Sequence, residues 1–420
     1  MTNSIAVIGL GYVGLPLALE FAKKYDVIGF DVSKKRIKNL SGGVDETQEV
    51  LAEDLNTARI SFTCTLKDIA SANVYIVCVP TPIDTNNNPD LSPLESASKS
   101  IGPYINKGDV VIYESTVYPG ATREVCIPIL ENQSLLQLNK DFYVGYSPER
   151  INPGDTNHRL TDIVKITSGS NEFSRKKIDD LYSSIIKAGT HSVSSIEVAE
   201  SAKVIENIQR DINIALINEL SVIFNRLNLD TEEILNASST KWNFIKYTPG
   251  LVGGHCIGVD PYYLIHKSRM VGFEPKIITA GRKINDDMHL NFSDSLIKIM
   301  KDKKIDPKGS KLLIMGFTFK EDCPDTRNTR VFNLVQELER HKIKVSIYDP
   351  IADFGGNELY QSLDVVNEIH KDHYDVAVFS VAHTEFRSIN IRDFRKMLKK
   401  NSVIADLKYL FKHSETDLRM

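Results

Sequence analysis

The chain has 420 residues, enough for two or three domains, and its 42% hydrophobic and 25% charged content is the globular average. Disordered, collagen-like and coiled-coil architectures are thereby excluded. Lys plus Arg number 51 against 55 Asp plus Glu, a formal net charge of −4 with no basic block, so neither nucleic acid nor an anionic membrane is expected as the main partner.

In chain order, residues 5–22 are largely apolar but carry three glycines and Pro16, with no charged leader segment and no small-residue cleavage site. That punctuation argues against a signal peptide or a membrane span. No other stretch reaches the roughly 18 apolar residues of a spanning helix, and a cytoplasmic protein is expected. Residues 4–8 read as a strand buried on both faces. A glycine turn, a helix over Leu15 to Lys24 and a strand over Val27 to Phe30 follow, the strand ending at Asp31. Strands near 74–79 and 109–114 and helices near 93–104 and 121–132 continue the alternation of a doubly wound α/β sheet.

From Ser195 the texture changes. Residues 196–227 hold no Gly or Pro and repeat apolar residues at three- and four-residue spacing, from Val198 to Leu227. They read as one helix of about 45 Å, long enough to connect two domains and to offer a subunit interface. A Gly-rich loop at 249–258 precedes a helical segment near 276–302. A second, smaller α/β unit begins near Lys308. Its strands are Lys311 to Gly316, Lys344 to Tyr348, Val376 to Ser380 and Val403 to Ala405, with a helix over Thr329 to Arg340. The expected fold is α/β, with two Rossmann-like doubly wound domains (1–195 and 306–420) joined by a long central helix and a helical middle domain (196–305).

Gly9-Leu10-Gly11-Tyr12-Val13-Gly14 follows a strand and opens a helix, and Asp31 ends the next strand 20 residues after Gly11. In that setting the glycines allow a tight turn, close backbone approach to a pyrophosphate and close helix–sheet packing. The helix N-terminus supplies N–H donors, and Asp31 suits a ribose bearing no 2′-phosphate. NAD is the expected cofactor. The second α/β unit has no such fingerprint. There Lys320 and Arg327 flank an acidic turn and suit a phosphorylated substrate.

Five cysteines are scattered at 64, 78, 126, 256 and 323, which is no disulfide framework and points to a reducing compartment. Cys256 lies among four glycines, between Gly250 and Asp260. A thiol beside a nicotinamide points to aldehyde-level chemistry, because a thiolate adds to a carbonyl and holds it as a hemithioacetal. Cys64, Cys78 and Cys126 read as small core residues, and Cys323, in a polar turn, is the one rival. His255 and Cys256 are adjacent and have no CxxC partner, so no metal is expected. Lys203 and Asn207 share a face of the long helix, one turn apart.

Seven ordered motifs then carry a resemblance over essentially the whole chain: GLGYVGLPLA (9–18), VPTP (79–82), YESTVYPG (113–120), GYSPERINPGD (145–155), AESAKVIEN (199–207), GGHCIGVDP (253–261) and GFTFKEDCPDTRNT (316–329). The chain resembles the nucleotide-sugar 6-dehydrogenases of the UDP-glucose/UDP-mannose dehydrogenase family. Around Lys241-Trp242-Asn243-Phe244 and 250–264 it is similar to the branch that acts on UDP-N-acetylglucosamine and UDP-N-acetylgalactosamine.

The resemblance implies a four-electron oxidation of a sugar C6 alcohol by NAD through a Cys256 hemithioacetal and thioester. It assigns hydrolytic water to Glu149, oxyanion stabilisation to Lys203 with Asn207, and water positioning or proton transfer to Asp260. Gly11, Tyr12, Val13, Gly14, Asp31, Arg36, Thr81 and Thr116 would hold NAD, and Lys320 and Arg327 would serve the cofactor and UDP-sugar region. Arg150, Phe244, Lys246, Tyr247, Gly250 and Gly253 would join Glu149, Lys203 and Asn207 around the UDP-sugar. UDP-glucose enzymes carry Lys where this chain has Val259, and Arg282 is the expected replacement. The apolar stripe of the 196–227 helix, about nine turns long, is more than one small domain covers, and it points to a homodimer or higher homo-oligomer.

UDP-N-acetylmannosamine and UDP-glucose are the alternative substrates. A two-electron 3-hydroxyacid-type dehydrogenase has no use for Cys256 or the third section, and a non-catalytic NAD sensor would turn over no UDP-sugar.

Overall fold

The computed structural model describes residues 4–47, 49–151, 159–355 and 358–420; positions 152–155 of the GYSPERINPGD motif lie outside them. The chain divides into two compact units. One comprises Met1–Glu206 with Tyr262–Phe273, the other Asn207–Pro261 with Glu274–Met420.

The first unit is built on an eight-stranded sheet. In chain order it holds β1 (Ser4–Ile8), α1 (Gly14–Ala22), β2 (Asp26–Phe30), α2 (Lys34–Ser41), α3 (Ala52–Thr57), β3 (Ile60–Thr63) and β4 (Val74–Val77). Next come α4 (Ser92–Ile101), β5 (Val110–Tyr113), a π-helical turn (Thr122–Cys126) running into α5 (Ile127–Ser134), β6 (Tyr143–Tyr146), β7 (Lys165–Gly169), α6 (Glu172–Ser183) and β8 (Thr190–Ser192). The strand order is β3-β2-β1-β4-β5-β6-β7-β8. Every pairing is parallel except β6 with β7, where Tyr146 faces Ser168. The order reverses between β1 and β4, and the crevice beyond the strand ends at such a switch point is where open α/β sheets bind ligands. Ile5 and Val7 of β1, Val74 and Ile76 of β4, and Val110 and Ile112 of β5 join one core with Leu15, Leu17 and Phe21 of α1. Alternate strand residues thus share a face.

Helix α7 (Ile196–Arg226) runs from the first unit into the second and has the predicted extent. Then come α8 (Thr231–Ser238), α9 (Asp260–Met270) and α10 (Lys276–Asp302). The second sheet uses β9 (Lys311–Met315), α11 (Arg330–Arg340), β10 (Lys344–Tyr348), β11 (Asp364–Val365), β12 (Val376–Phe379), α12 (Thr384–Arg387), α13 (Ile391–Met397), β13 (Val403–Asp406) and β14 (Leu418–Arg419). Its order is β11-β10-β9-β12-β13-β14, parallel throughout. Strand β9 shows why its residues are apolar without a break. Leu312 and Ile314 pack with α10 and α11, while Leu313 and Met315 pack with Phe386, Ile391 and Phe394 of α12 and α13. A strand covered on both faces needs both alternations apolar. Among the described residues no helix is long and apolar enough to cross a membrane.

Candidate active site

In the first unit, the glycine loop after β1 is shaped by contacts that only hydrogen atoms permit. Gly9 has φ +93, and a Cβ there would lie 2.9 Å from the carbonyl oxygen of Cys78. At Gly14 a Cβ would lie 1.9 Å from the Gly9 oxygen, so the first turn of α1 sits directly on the loop. A Cβ on Gly11 would meet nothing within 4 Å: that face of the loop is open to a ligand. Helix α1 starts without a side-chain cap or an acidic residue in its first turn, which leaves N–H donors and the positive end of the dipole available to a phosphate.

Asp31 Oδ2 accepts from Leu10 N at 2.9 Å and its Oδ1 from Ser33 N at 2.8 Å, which fixes the carboxylate beside the loop. Arg36 is buried. Its Nε donates to the Leu10 carbonyl at 2.9 Å and its guanidinium pairs with Asp45 at 2.8 Å, so it braces the loop from behind. The loop fits a dinucleotide pyrophosphate and ribose. Thr81 and Thr116 stand on the loops that follow β4 and β5, at the switch-point end of the sheet. Ser115 Oγ donates to the Val79 carbonyl at 2.6 Å and Tyr263 OH to the Thr81 carbonyl at 2.8 Å, which ties these loops down.

Glu149 follows β6 and is buried. Its Oε1 accepts from the N–H groups of Arg150 (2.6 Å) and Ile151 (2.8 Å), and its Oε2 from Lys165 Nζ at 2.6 Å. Lys165 also reaches Glu114 Oε2 at 2.7 Å, and Tyr182 OH donates to the other Glu114 oxygen. Burial, foremost, pushes the Glu114 carboxyl up to about 7; Glu149 adds to the rise and Lys165 opposes it. Arg150 is committed to Glu206 of α7 through a bidentate pair (2.7 and 3.1 Å). Lys203 is buried on α7. One turn before it, Glu200 accepts from Gly120 N (2.6 Å) and Thr122 N (3.0 Å), tying the helix to the end of the YESTVYPG motif.

In the second unit, Asn207 Nδ2 donates to Asp260 Oδ2 at 2.6 Å, both residues buried. The Cys256 carbonyl accepts from Val259 N (3.0 Å) and Asp260 N (2.8 Å), so the cysteine sits on the turn that opens α9. Its thiol is exposed and outside any disulfide. The glycines around it allow close packing: a Cβ on Gly253 would lie 2.6 Å from the Asn328 oxygen, and one on Gly254 2.7 Å from the Phe319 ring. Gly250 exchanges two hydrogen bonds with the Asn218 amide (2.8 and 3.0 Å). Burial first, and the Arg327 charge second, push the His255 imidazole below its ordinary value. Arg327 itself pairs with Asp325 at 2.6 Å, and Lys320 is half-buried on the same turn. Phe244 is 37% exposed, Lys246 is exposed and bonds Asn236 at 2.6 Å, and Tyr247 is half-buried.

Three expectations change. Cys323 is buried, so it is no accessible rival thiol, whereas Cys64 is exposed just past β3 and is no core residue. Val259 is buried, and the guanidinium of Arg282, 2% exposed, is held by Asp211 and Asp286. That places Arg282 in the scaffold between α7 and α10 rather than on an open binding surface.

The second sheet repeats the first loop and then closes it. Gly316 also has φ +93, and Asp349 accepts from Phe317 N (2.6 Å) as Asp31 does from Leu10 N. Asp349, however, also accepts from Thr318, Ile351 and Ala352 N–H groups and lies 3.1 Å from His383 Nε2, its side chain fully buried. Burial works to raise its carboxyl, but the bonds from His383 and those backbone donors hold it below the carboxylate range. Helix α11 is capped by Thr329.

Lys165, Tyr182 and the part Glu114 plays were not singled out from the sequence. The available signal was Lys165 itself, a lone charge opening an otherwise uncharged buried strand.

Family models match the chain in three consecutive segments. The NAD binding domain of the UDP-glucose/GDP-mannose dehydrogenase family covers residues 3–186, its central domain 197–287 and its UDP binding domain 313–413. UDP-N-acetyl-D-glucosamine 6-dehydrogenase of Salmonella typhi is 54% identical over 99% of this chain and 98% of its own. The enzyme of the same name from Pseudomonas aeruginosa is 53% identical over 99% of both. Among solved structures, the UDP-D-ManNAc dehydrogenase of Pyrococcus horikoshii superposes with a TM-score of 0.87 at 31% identity, covering 98% of this chain and 96% of that one.

Proposed function

The chain belongs to the UDP-glucose/GDP-mannose dehydrogenase family (the mannose nucleotide being GDP, not UDP) and is an NAD-dependent UDP-sugar dehydrogenase, and we propose that it oxidises the C6 alcohol of UDP-N-acetylglucosamine to the uronate. The observation that carries the sugar is the full-length identity above one half to relatives named for that substrate. The uronate then serves surface-polysaccharide biosynthesis.

The glycine loop and Asp31 would hold NAD, which would supply the hydride acceptor for each of two oxidations, one NAD for each. The chain's own residues do the rest. The Cys256 thiolate adds to the C6 aldehyde to give a hemithioacetal, and loss of a second hydride leaves a thioester. Water then adds to the thioester carbon, the C–S bond breaks with the electron pair returning to sulfur, and the carboxylate is released. Lys203 stabilises the successive oxyanions, a contribution worth about 2.7–4 kcal/mol where single donors have been removed from oxyanion holes. Asn207 is oriented by Asp260, and the pair holds the water or the oxyanion. Glu149 takes a proton from the attacking water. Lys320 and Arg327 serve the diphosphate side, while Phe244, Lys246, Tyr247, Gly250 and Gly253 line the sugar side.

We further infer a cytoplasmic homodimer. Val198, Ile205, Leu216 and Ile223 along α7 and Leu227 just past its end are all exposed, and their spacings of 7, 11, 7 and 4 residues return to one helical stripe. A second copy of the same stripe covers it in an isologous contact.

The test is kcat/KM and NADH yield with UDP-N-acetylglucosamine, UDP-N-acetylgalactosamine, UDP-N-acetylmannosamine and UDP-glucose side by side. UDP-N-acetylglucosamine is expected to be preferred and to give two NADH per uronate. Equal use of UDP-glucose, or one NADH per product, overturns the reading.

A further inference from the structure

Two carboxylates and one ammonium are sealed together in the first unit. The side chains of Glu114, Glu149 and Lys165 are 0%, 5% and 3% exposed. They come from three neighbouring strands of the sheet: Glu114 follows β5, Glu149 follows β6 and Lys165 opens β7. One positive charge for two negative charges leaves a net negative charge in a low-dielectric interior, an arrangement that costs several kcal/mol unless one carboxyl keeps a proton (roughly, for an unpaired buried ion). A fold that needed only to hold Glu149 would stop at the Lys165–Glu149 pair, which is neutral.

We propose that Lys165 and Glu114 are positioning residues for Glu149: the Lys165 ammonium, clasped between the two carboxylates, fixes the orientation in which Glu149 meets the hydrolytic water, and Glu114 holds that ammonium in place. This rests on the reading of Glu149 as the water-activating group. Glu149 Oε1 is held by two backbone N–H groups, so Lys165 at the other oxygen completes the hold on the carboxylate.

The sign follows from the groups that face Glu114. These are Lys165 on β7, Glu149 after β6, Tyr182 on α6 and Cys78 after β4. Burial, with Glu114 adding to it, pushes the Tyr182 phenol and the Cys78 thiol well above their ordinary values, so both stay protonated. Glu114, at about 7, is the group that changes. Below that pH it is neutral, its hold on the Lys165 ammonium weakens and hydrolysis slows. Above it Glu114 is ionised and clamps the ammonium in place against Glu149. Thioester hydrolysis is therefore expected to rise with pH, with an inflection near 7.

The experiment follows the full-length enzyme with NAD and UDP-N-acetylglucosamine, reading NADH in the first turnover and the mass of the protein. Glu114→Gln keeps the shape and the partners. It is expected to release about two NADH per site in a burst, then stall as an acyl adduct on Cys256. Hydrolysis should fall roughly tenfold or more and lose its inflection near 7. Lys165→Met should stall in the same way, and Lys165→Arg should recover part of the rate. Thermal melting separates these effects from misfolding, and the isosteric Glu114→Gln carries the test if Lys165→Met does not fold. Glu149→Gln is the reference. If it accumulates no acyl adduct, the Glu149 reading fails and the proposal with it. If it does, while Glu114→Gln turns over like wild type with the inflection intact, or loses burst and hydrolysis equally, the positioning proposal alone is overturned.

Discussion

At Gly14 one methyl group decides whether the cofactor loop can close, whereas at Gly11 it decides only whether a ligand can approach. A Cβ at Gly14 would fall 1.9 Å from a backbone oxygen, and at Gly11 nothing lies within 4 Å. Gly14→Ala is therefore expected to lower stability by about 1–3 kcal/mol, as other overpacked sites do, and to lower Tm measurably. Gly11→Ala should leave Tm unchanged and raise KM for NAD by roughly tenfold, since its cost arises only against a pyrophosphate. Equal Tm for both variants would show that the contact at Gly14 is not structural. Asp31→Ala should narrow the preference for NAD over NADP, because its carboxylate repels a 2′-phosphate; the ratio of kcat/KM for the two cofactors reads this directly. Among the thiols, Cys256→Ala should lose uronate formation by several orders of magnitude. Cys64→Ala, at an exposed thiol, is the neutral control. Cys323→Ala is a poorer one, since removing a buried side chain costs stability without touching chemistry.

At the scale of elements, Glu200 joins α7 to the loop that leads into the π-helical turn. Burial is the leading cause that pushes its carboxyl up to about 7, against the hydrogen bonds from Thr122 and Gly120 that pull it down. A carboxyl whose folded value lies above its unfolded one favours the folded state most at low pH. That stability is complete below the unfolded value near 4.3 and is lost as pH rises to about 7. Glu200 and Glu114 share this sign, so Tm is expected to fall as pH rises from 5 to 7 and to level off above. Each full proton contributes about 1.4 kcal/mol per pH unit at most. Glu200→Gln should make the slope shallower, and differential scanning calorimetry across that range is the measurement. A slope unchanged in Glu200→Gln would show that the carboxyl titrates elsewhere.

At the scale of the whole molecule, the exposed stripe of α7 needs a cover, since five large apolar side chains on one line are more than a monomer's surface ordinarily leaves open. Leu216→Asp is expected to shift sedimentation at micromolar concentration from dimer to monomer. A wild-type protein that is monomeric and active would refute the dimer.

What the sequence determined by itself was whatever local pattern dictates. The uninterrupted apolar strands, the glycine loop with Asp31 at its distance, and the 31-residue α7 follow from periodicity and from glycine chemistry, and all three recur in the structure. Cys256 stood out among the five cysteines because four glycines surround it, and only the structure shows that it is exposed. Partnerships across strands were not legible. Lys165 is 51 residues from Glu114 and 16 from Glu149, and only the order β5-β6-β7 brings the three together. The closure of the second loop is of the same kind, since His383 and Asp349 meet through sheet topology. Cys323 and Cys64 exchanged their expected burial because coverage by distant chain is a tertiary property, and Arg282 became scaffold for the same reason. Backbone geometry is written in neighbouring residues, whereas the company a buried charge keeps is decided only when the strands find their order.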